Sequence, residues 1–135
     1  MHTDKIFVYG TLKPVFDNEM SRFLVKNARW LDSGELTGSL YLIEREIDGH
    51  QWSYPAFVET GGGKVFGEIF QCMDIVSVLK VLDEYEGYGP PNKPPFEYNR
   101  EWRLIKTNDG VEHNAWVYIY NWSTVGSQRI HSGVF

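Results

Sequence analysis

The chain has 135 residues, of which 42% are hydrophobic, and its 18 acidic and 13 basic side chains give a formal net charge of −5. This balance, with the lysines and arginines scattered, argues against nucleic-acid binding. A single cysteine, Cys72, excludes an internal disulfide framework and a cysteine-based zinc site. With no membrane-length apolar run and no signal-peptide pattern at the start, we expect one cytoplasmic domain over residues 1–135, without membrane association.

The first part of the chain predicts two strands around a helix, followed by a further strand. Residues 5–9 are rich in β-formers and run into a glycine turn, which predicts a buried first strand. A helix is expected over residues 17–27, capped by an Asp or Asn at its start. Residues 28–31 and 36–43 are predicted as separate strands, because Asp-Ser-Gly at residues 32–34 is typical of a turn.

The next stretch predicts a hairpin and a longer strand. Asp48-Gly49 is a strong hairpin-turn signal. The extended piece at residues 54–58 contains Pro55, which indicates an edge position in a sheet. Three glycines at residues 61–63 predict a loop, and residues 64–72 predict another strand.

A helix is predicted between Asp74, as N-cap, and Gly87, as the left-handed residue that ends it. At about 100° per residue, one face of this helix is apolar and is formed by Ile75, Val78, Leu79 and Leu82. Glu86 falls on that same face, whereas Glu84 points the opposite way and Asp83 lies at the flank. Asp83 and Glu84 are therefore expected to be solvated.

The inward placement of Glu86 has a chemical consequence. Loss of hydration and the negative end of the helix dipole both raise the pKa of a carboxyl group. A glutamate with a raised pKa suits general acid–base catalysis near neutral pH. The alternative from periodicity alone is a frayed helix end with Glu86 in solvent.

The C-terminal part predicts a proline-rich loop over residues 87–97, a β-hairpin of residues 98–107 and 112–121, and an irregular tail from residue 127. Four aromatic residues alternate on one side of the second hairpin strand, as a core face or pocket wall would: Trp116, Tyr118, Tyr120 and Trp122. Many short strands with two helices predict an α+β fold, namely a small, mostly antiparallel β-barrel with flanking helices.

The turn after the first strand, Tyr9-Gly10-Thr11-Leu12, is the second candidate functional feature. Its backbone N–H groups could bind a substrate carboxylate or a developing oxyanion, although an ordinary strand-to-helix turn has the same sequence character. The four histidines show no metal-ligand spacing, so we expect no metal site and no cofactor.

Taken together, the motifs resemble the γ-glutamylcyclotransferase-like family, and more closely its γ-glutamylamine (AIG2-like) branch, because Thr11 and Lys13 occupy the first-strand motif. The resemblance runs over nearly the whole chain. It is carried by Phe7-Val8-Tyr9-Gly10-Thr11-Leu12-Lys13, Gly38-Ser39-Leu40-Tyr41, Tyr54-Pro55-Ala56, Val65-Phe66-Gly67-Glu68-Ile69-Phe70, Leu82-Asp83-Glu84-Tyr85-Glu86-Gly87-Tyr88, Tyr98-Asn99-Arg100, Ala115-Trp116-Val117-Tyr118 and Ile130-His131-Ser132-Gly133.

The resemblance implies a small β-barrel enzyme that releases 5-oxoproline and a free amine from a small-molecule γ-glutamyl substrate. It implies that Glu86 acts as general acid and base and that Tyr9, Gly10, Thr11 and Leu12 bind the γ-glutamyl group. Tyr118 is predicted to line the same site. The long proline-rich insertion after Tyr88 and the Val134-Phe135 ending depart from the family pattern. A non-catalytic binding module and a protein-interaction subunit on the same fold remain the alternatives.

Overall fold

The computed structural model describes residues 3–135 and consists of a β-barrel, a second small sheet and two helices. A short 3-10 helix, Pro14–Phe16, precedes the first α-helix. The helices are α1 (Glu19–Asn27) and α2 (Ile75–Glu86). The strands, in chain order, are β1 (Lys5–Val8), β2 (Ala28–Thr37), β3 (Ser39–Ile47), β4 (His50–Val58), β5 (Lys64–Cys72), β6 (Tyr98–Lys106), β7 (Glu112–Tyr120) and β8 (Gln128–Arg129).

The barrel closes in the strand order β1-β5-β2-β6-β7, and the second sheet has the order β4-β3-β8. Among residues 3–135, every strand pairing is antiparallel except the contact between β1 and β7, which closes the barrel. The predicted α+β barrel with flanking helices is confirmed. None of the described helices is long and apolar enough to cross a membrane.

The prediction of a break at residues 32–34 was wrong. Strand β2 continues through this segment with an irregularity between Trp30 and Asp32, and Gly34 pairs with Gly67 of β5. Strand β2 ends instead just before Gly38, which separates it from β3 of the second sheet; φ of Gly38 is +156°, and a Cβ atom there would lie 2.4 Å from the carbonyl oxygen of Val58. Glycine is suited to residue 34 within the strand, because a side chain there would collide with neighbouring residues inside the barrel.

Replacement of Gly34 by alanine is expected to lower the free energy of unfolding by about 1–3 kcal/mol. The new Cβ would lie 2.6 Å from Ile105 Cγ2 and 3.1 Å from Ile69 Cδ1, both of which are fully buried. Urea denaturation measures the effect. Thr37→Ala, at an exposed position of the same strand, is the control and should change stability by less than about 0.5 kcal/mol. An unchanged unfolding midpoint for Gly34→Ala would contradict this account of the barrel interior.

Alternation along the strands produces two separate cores. Phe7 of β1 and Val117 of β7 point into the barrel, whereas their neighbours Ile6 and Tyr118 point outwards and pack beneath the helices. Both helices cover this outer face, and Leu82 of α2 is fully buried there. The two-residue periodicity of β1 therefore determines which side chains fill the barrel and which support α2.

The ends of α2 are those the sequence predicted. The Asp74 side chain accepts a hydrogen bond from the backbone N–H of Ser77 at 3.3 Å, and Gly87 ends the helix with φ of +74°. Asp17 and Asn18 were the two predicted cap residues of the first helix, and Asn18 is the one that caps α1, in a reciprocal capping box with Ser21, so the helix begins at Glu19. Asp48 and Gly49, both with positive φ, form the predicted β3–β4 turn. The short strand β8 lies in the tail that was predicted to be irregular.

Candidate active site

A cavity of about 640 Å³ opens between one end of the barrel, the last turn of α2 and the β3–β4 hairpin. Its volume lies within the range of small-molecule binding sites. Every residue that the sequence predicted for a site lines this cavity, namely Tyr9, Gly10, Thr11, Leu12, Glu86 and Tyr118. The fold therefore brings the turn after β1 and the end of α2, which lie far apart in the chain, to a common space.

The turn after β1 is held from several sides. The backbone N–H of Lys13 donates to the carbonyl oxygen of Gly10 at 3.0 Å, and the Asn18 side-chain amide donates to the carbonyl oxygen of Thr11 at 2.6 Å. Within residues 3–135, no group accepts a hydrogen bond from the backbone N–H of residues 10–12. Unpaired amides of this kind beside a cavity are suited to an anionic ligand atom.

Gly10 lies in close contact with the cavity wall. A Cβ atom built on Gly10 would lie only 2.5 Å from Cγ of Pro55, on strand β4. Pro55 is itself held because its carbonyl oxygen accepts a hydrogen bond from the Tyr98 hydroxyl at 2.7 Å. The absence of a side chain at residue 10 is therefore what allows the turn to pack directly against β4.

Tyr9 lines the cavity, and its side chain connects the end of β1 to β7. Its side chain is 6% exposed, and its hydroxyl donates to the carbonyl oxygen of Tyr118 at 2.6 Å. Burial, followed by the nearby charge of Glu86, raises the pKa of the Tyr9 hydroxyl well above its ordinary value. Tyr9 thus ties the end of β1 to β7 and remains protonated throughout the physiological pH range.

Glu86 lies in the last turn of α2 and is partly buried against the cavity. Desolvation, followed by repulsion from Glu97 and Asp83, raises the pKa of the Glu86 carboxyl to about 8. No described residue forms a hydrogen bond or an ion pair with this carboxyl. Near neutral pH, Glu86 is therefore a carboxyl group able to exchange a proton with a bound molecule. A contact of 3.2 Å between the hydroxyls of Thr11 and Tyr85 also joins the end of α2 to the turn after β1.

The expectation that Asp83 is solvated was wrong. Its side chain is 19% exposed and accepts hydrogen bonds from Arg100 Nε at 2.8 Å and from the Tyr118 hydroxyl at 2.7 Å. Helical periodicity placed Asp83 at the flank of α2 correctly, but it did not show that β6 and β7 pack against that flank. Glu84 is exposed, as expected.

The sequence reasoning missed a polar group on the other side of the cavity. The Tyr54 hydroxyl donates to the Glu97 carboxylate, and a guanidinium nitrogen of Arg45 lies 3.8 Å from the same carboxylate oxygen. The Arg45 guanidinium also lies 4.7 Å from the ring centre of Trp122. Glu97 ends the proline-rich segment, which the sequence predicted only as a loop over residues 87–97.

The chemistry available in the cavity is that of side-chain carboxyls, tyrosine hydroxyls and backbone amides. Among residues 3–135, no group of three or more histidine, cysteine, aspartate or glutamate side chains is arranged to hold a metal ion. Of the carboxyls that line the cavity, Glu19 is exposed, Glu97 is hydrogen bonded to Tyr54 and paired with Arg45, and Glu86 has no such partner. Glu86 is consequently the group most suited to proton transfer.

Several solved structures share this fold. Protein ytfP from Escherichia coli is 26% identical, with 97% of this chain and 95% of that chain covered and a TM-score of 0.62. An AIG2-like protein from Mus musculus is 22% identical, with 91% and 81% covered and a TM-score of 0.63. A structure named gamma-glutamyl cyclotransferase is 18% identical, with 95% and 70% covered and a TM-score of 0.64.

A comparison with curated proteins found no match. A family model, described as gamma-glutamyl cyclotransferase, AIG2-like, matches residues 6–135. This match includes the turn after β1, the whole of α2 and the β6–β7 hairpin, and thus every part of the cavity described above. The chain therefore belongs to the gamma-glutamyl cyclotransferase, AIG2-like family.

Proposed function

We propose that the protein is a γ-glutamylcyclotransferase that releases 5-oxoproline and a free amine from a γ-glutamyl amine or peptide. The observation that carries the proposal is the pairing, in one cavity, of an unpartnered Glu86 carboxyl with the free amides of residues 10–12. Family membership and the likeness to a structure named gamma-glutamyl cyclotransferase support the same reaction class.

In the proposed reaction, the Glu86 carboxylate removes a proton from the α-amino group of the substrate. The amine nitrogen then attacks the γ-carbonyl carbon of the same molecule, which forms the new C–N bond of a five-membered ring. The carbonyl oxygen becomes an oxyanion and accepts hydrogen bonds from the turn after β1. Glu86 passes this proton to the leaving nitrogen as the original amide C–N bond breaks. It then carries the surplus proton of the ring nitrogen to the released amine, which departs as an ammonium ion, so the carboxylate is regenerated.

The energetic demand on the protein is modest because nucleophile and electrophile belong to one molecule. Holding the substrate in its folded conformer can supply several kcal/mol of the barrier lowering, since an oriented intramolecular attack avoids much of the entropy loss. A well-placed acid–base group adds about 10²–10⁴-fold in rate. The rigid support of the turn by Asn18 and Pro55 provides this orientation.

The test is incubation of the purified protein with γ-glutamyl-ethylamine and γ-glutamyl amino acids, with 5-oxoproline and free amine measured by mass spectrometry. Equal amounts of both products are expected. The matched controls are the α-glutamyl isomers, whose amino group cannot close a five-membered ring onto the amide carbonyl. A γ-glutamyl compound that binds but stays intact would indicate a non-catalytic binding module on this fold.

The pH dependence of kcat/KM provides an independent prediction. Because the ionised form of Glu86 is the base and its pKa is about 8, activity should rise about tenfold per pH unit below pH 7. The rise should level off near pH 8 and reverse where the substrate ammonium loses its own proton. Initial rates at subsaturating substrate give this profile. A flat profile between about pH 5 and 7 would contradict proton transfer by Glu86.

A further inference from the structure

Asp83 lies one helical turn before Glu86 and connects α2 to two barrel strands. Its carboxylate accepts hydrogen bonds from Arg100 Nε at 2.8 Å and from a second Arg100 nitrogen at 3.1 Å. The same carboxylate accepts the Tyr118 hydroxyl at 2.7 Å. Arg100 belongs to β6 and Tyr118 to β7, so one side chain fixes the last turn of α2 against both strands.

The partners of Asp83 are themselves restrained. The Arg100 guanidinium lies 4.5 Å from the ring centre of Trp116 and 5.5 Å from that of Tyr88, and its side chain is 19% exposed. The carbonyl oxygen of Tyr118 accepts the Tyr9 hydroxyl at 2.6 Å. Tyr118 therefore connects α2, through its hydroxyl, to Tyr9, through its backbone carbonyl, and Tyr9 is the residue at which the turn after β1 begins.

We propose that Asp83 is a positioning residue for the reaction, which holds the Glu86 carboxyl at a set place relative to the turn after β1. This inference rests on the proposed function for its kinetic effect. Asp83 does not line the cavity and so acts through Glu86 rather than on the substrate. A bidentate pair on a planar guanidinium is suited to this role, because it restricts orientation as well as distance.

Substitution of Asp83 by asparagine keeps the shape but removes the charge and one of the acceptor oxygens. The last turn of α2 then loses part of its attachment to β6, and Arg100 loses the negative charge with which it pairs. The remaining groups that act on Glu86 or feel its charge are Glu97 from the proline-rich segment and the hydroxyls of Tyr9, Tyr98 and Tyr118. Glu97, Tyr9 and Tyr98 keep their contacts in the variant, so a shift in Glu86 behaviour reports on Asp83 and on the Tyr118 hydroxyl that it binds.

The experiment compares Asp83→Asn with Glu59→Gln. Glu59 forms an equivalent bidentate pair with Arg103 at 2.8 Å for both contacts, but neither residue lines the cavity. The measurements are kcat and KM for γ-glutamyl-ethylamine and the titration midpoint of the Glu86 carboxyl carbon by ¹³C NMR. For Asp83→Asn we expect kcat to fall at least about tenfold with KM changed less than about threefold. The Glu86 midpoint should move to lower pH by roughly one unit.

Glu59→Gln should leave kcat, KM and the midpoint unchanged. If Asp83→Asn behaves in the same way as Glu59→Gln, the positioning role is overturned. Should Asp83→Asn fail to fold, Arg100→Lys is measured in its place. This variant keeps the positive charge but removes the bidentate contact, and Arg100 does not line the cavity, so a loss of kcat is again expected. Absence of 5-oxoproline from wild-type protein would reject the proposed function, whereas an unmoved Glu86 midpoint in a folded Asp83 variant would reject this inference.

Discussion

Replacement of Glu86 by glutamine is expected to lower kcat for 5-oxoproline release by about 10²–10⁴-fold. Glutamine is nearly isosteric and keeps the cavity shape, but its amide cannot take the proton from the substrate α-amino group or return it to the leaving nitrogen. KM should change little, because the turn after β1 rather than Glu86 is proposed to hold the γ-glutamyl group. Steady-state kinetics with γ-glutamyl-ethylamine, together with circular dichroism to verify folding, measure the effect.

Glu84→Gln is the matched control for this substitution. Glu84 lies on the same helix but is exposed and does not line the cavity. The same chemical change at residue 84 should therefore leave kcat near the wild-type value. If Glu84→Gln abolished turnover and Glu86→Gln did not, the assignment of the acid–base role to residue 86 would have to be withdrawn.

The second large effect is expected in the pH dependence of stability. The pKa of the Glu86 carboxyl rises from an ordinary 4.5 to about 8 on folding, chiefly through desolvation. Between these values the folded state binds a proton that the unfolded chain has released, so the free energy of unfolding falls as the pH rises. The contribution of Glu86 is thus fully present below about pH 4.5 and is lost as the pH passes through about 8.

Glu86→Gln removes this titration and should make the protein more stable than wild type in alkaline solution. We expect a difference of about 2–4 kcal/mol near pH 9, reduced from the full linkage value because the side chain is only partly buried and water screens it. The difference should be near zero at about pH 4. Urea denaturation of both proteins across this range measures it, with Glu84→Gln as the same substitution at an exposed position of α2.

A pH-independent difference between wild type and Glu86→Gln would show that the carboxyl keeps an ordinary pKa in the folded protein. Taken with the kinetic prediction, the stability measurement tests a trade-off. The same desolvation that gives Glu86 a pKa suited to proton exchange destabilises the fold near neutral pH. If Glu86→Gln is inactive but more stable than wild type in alkaline solution, the Glu86 carboxyl serves catalysis and not stability.

Local sequence signals were sufficient for most of the secondary structure. The extent of α2 follows from Asp74, Gly87 and a 3.6-residue apolar repeat, each of which acts within a few residues along the chain. The Asp48-Gly49 turn and strand β5 follow equally from local preferences. The prediction failed at residues 32–34, where the reason for a glycine is a side chain on another strand, Ile105.

The sequence by itself determined the ends of α2 and the glycine turn that follows β1, and its periodicity predicted that Glu86 falls on the apolar face of that helix. Tertiary structure alone decided that the two meet in one cavity, that Asp83 is bound by Arg100 and Tyr118, and that Glu97 faces the site from the proline-rich segment. The physical reason is the range of the interactions. Capping, turn preference and periodicity act between near neighbours, whereas desolvation of a carboxyl and pairing of charges depend on which distant strands pack around it.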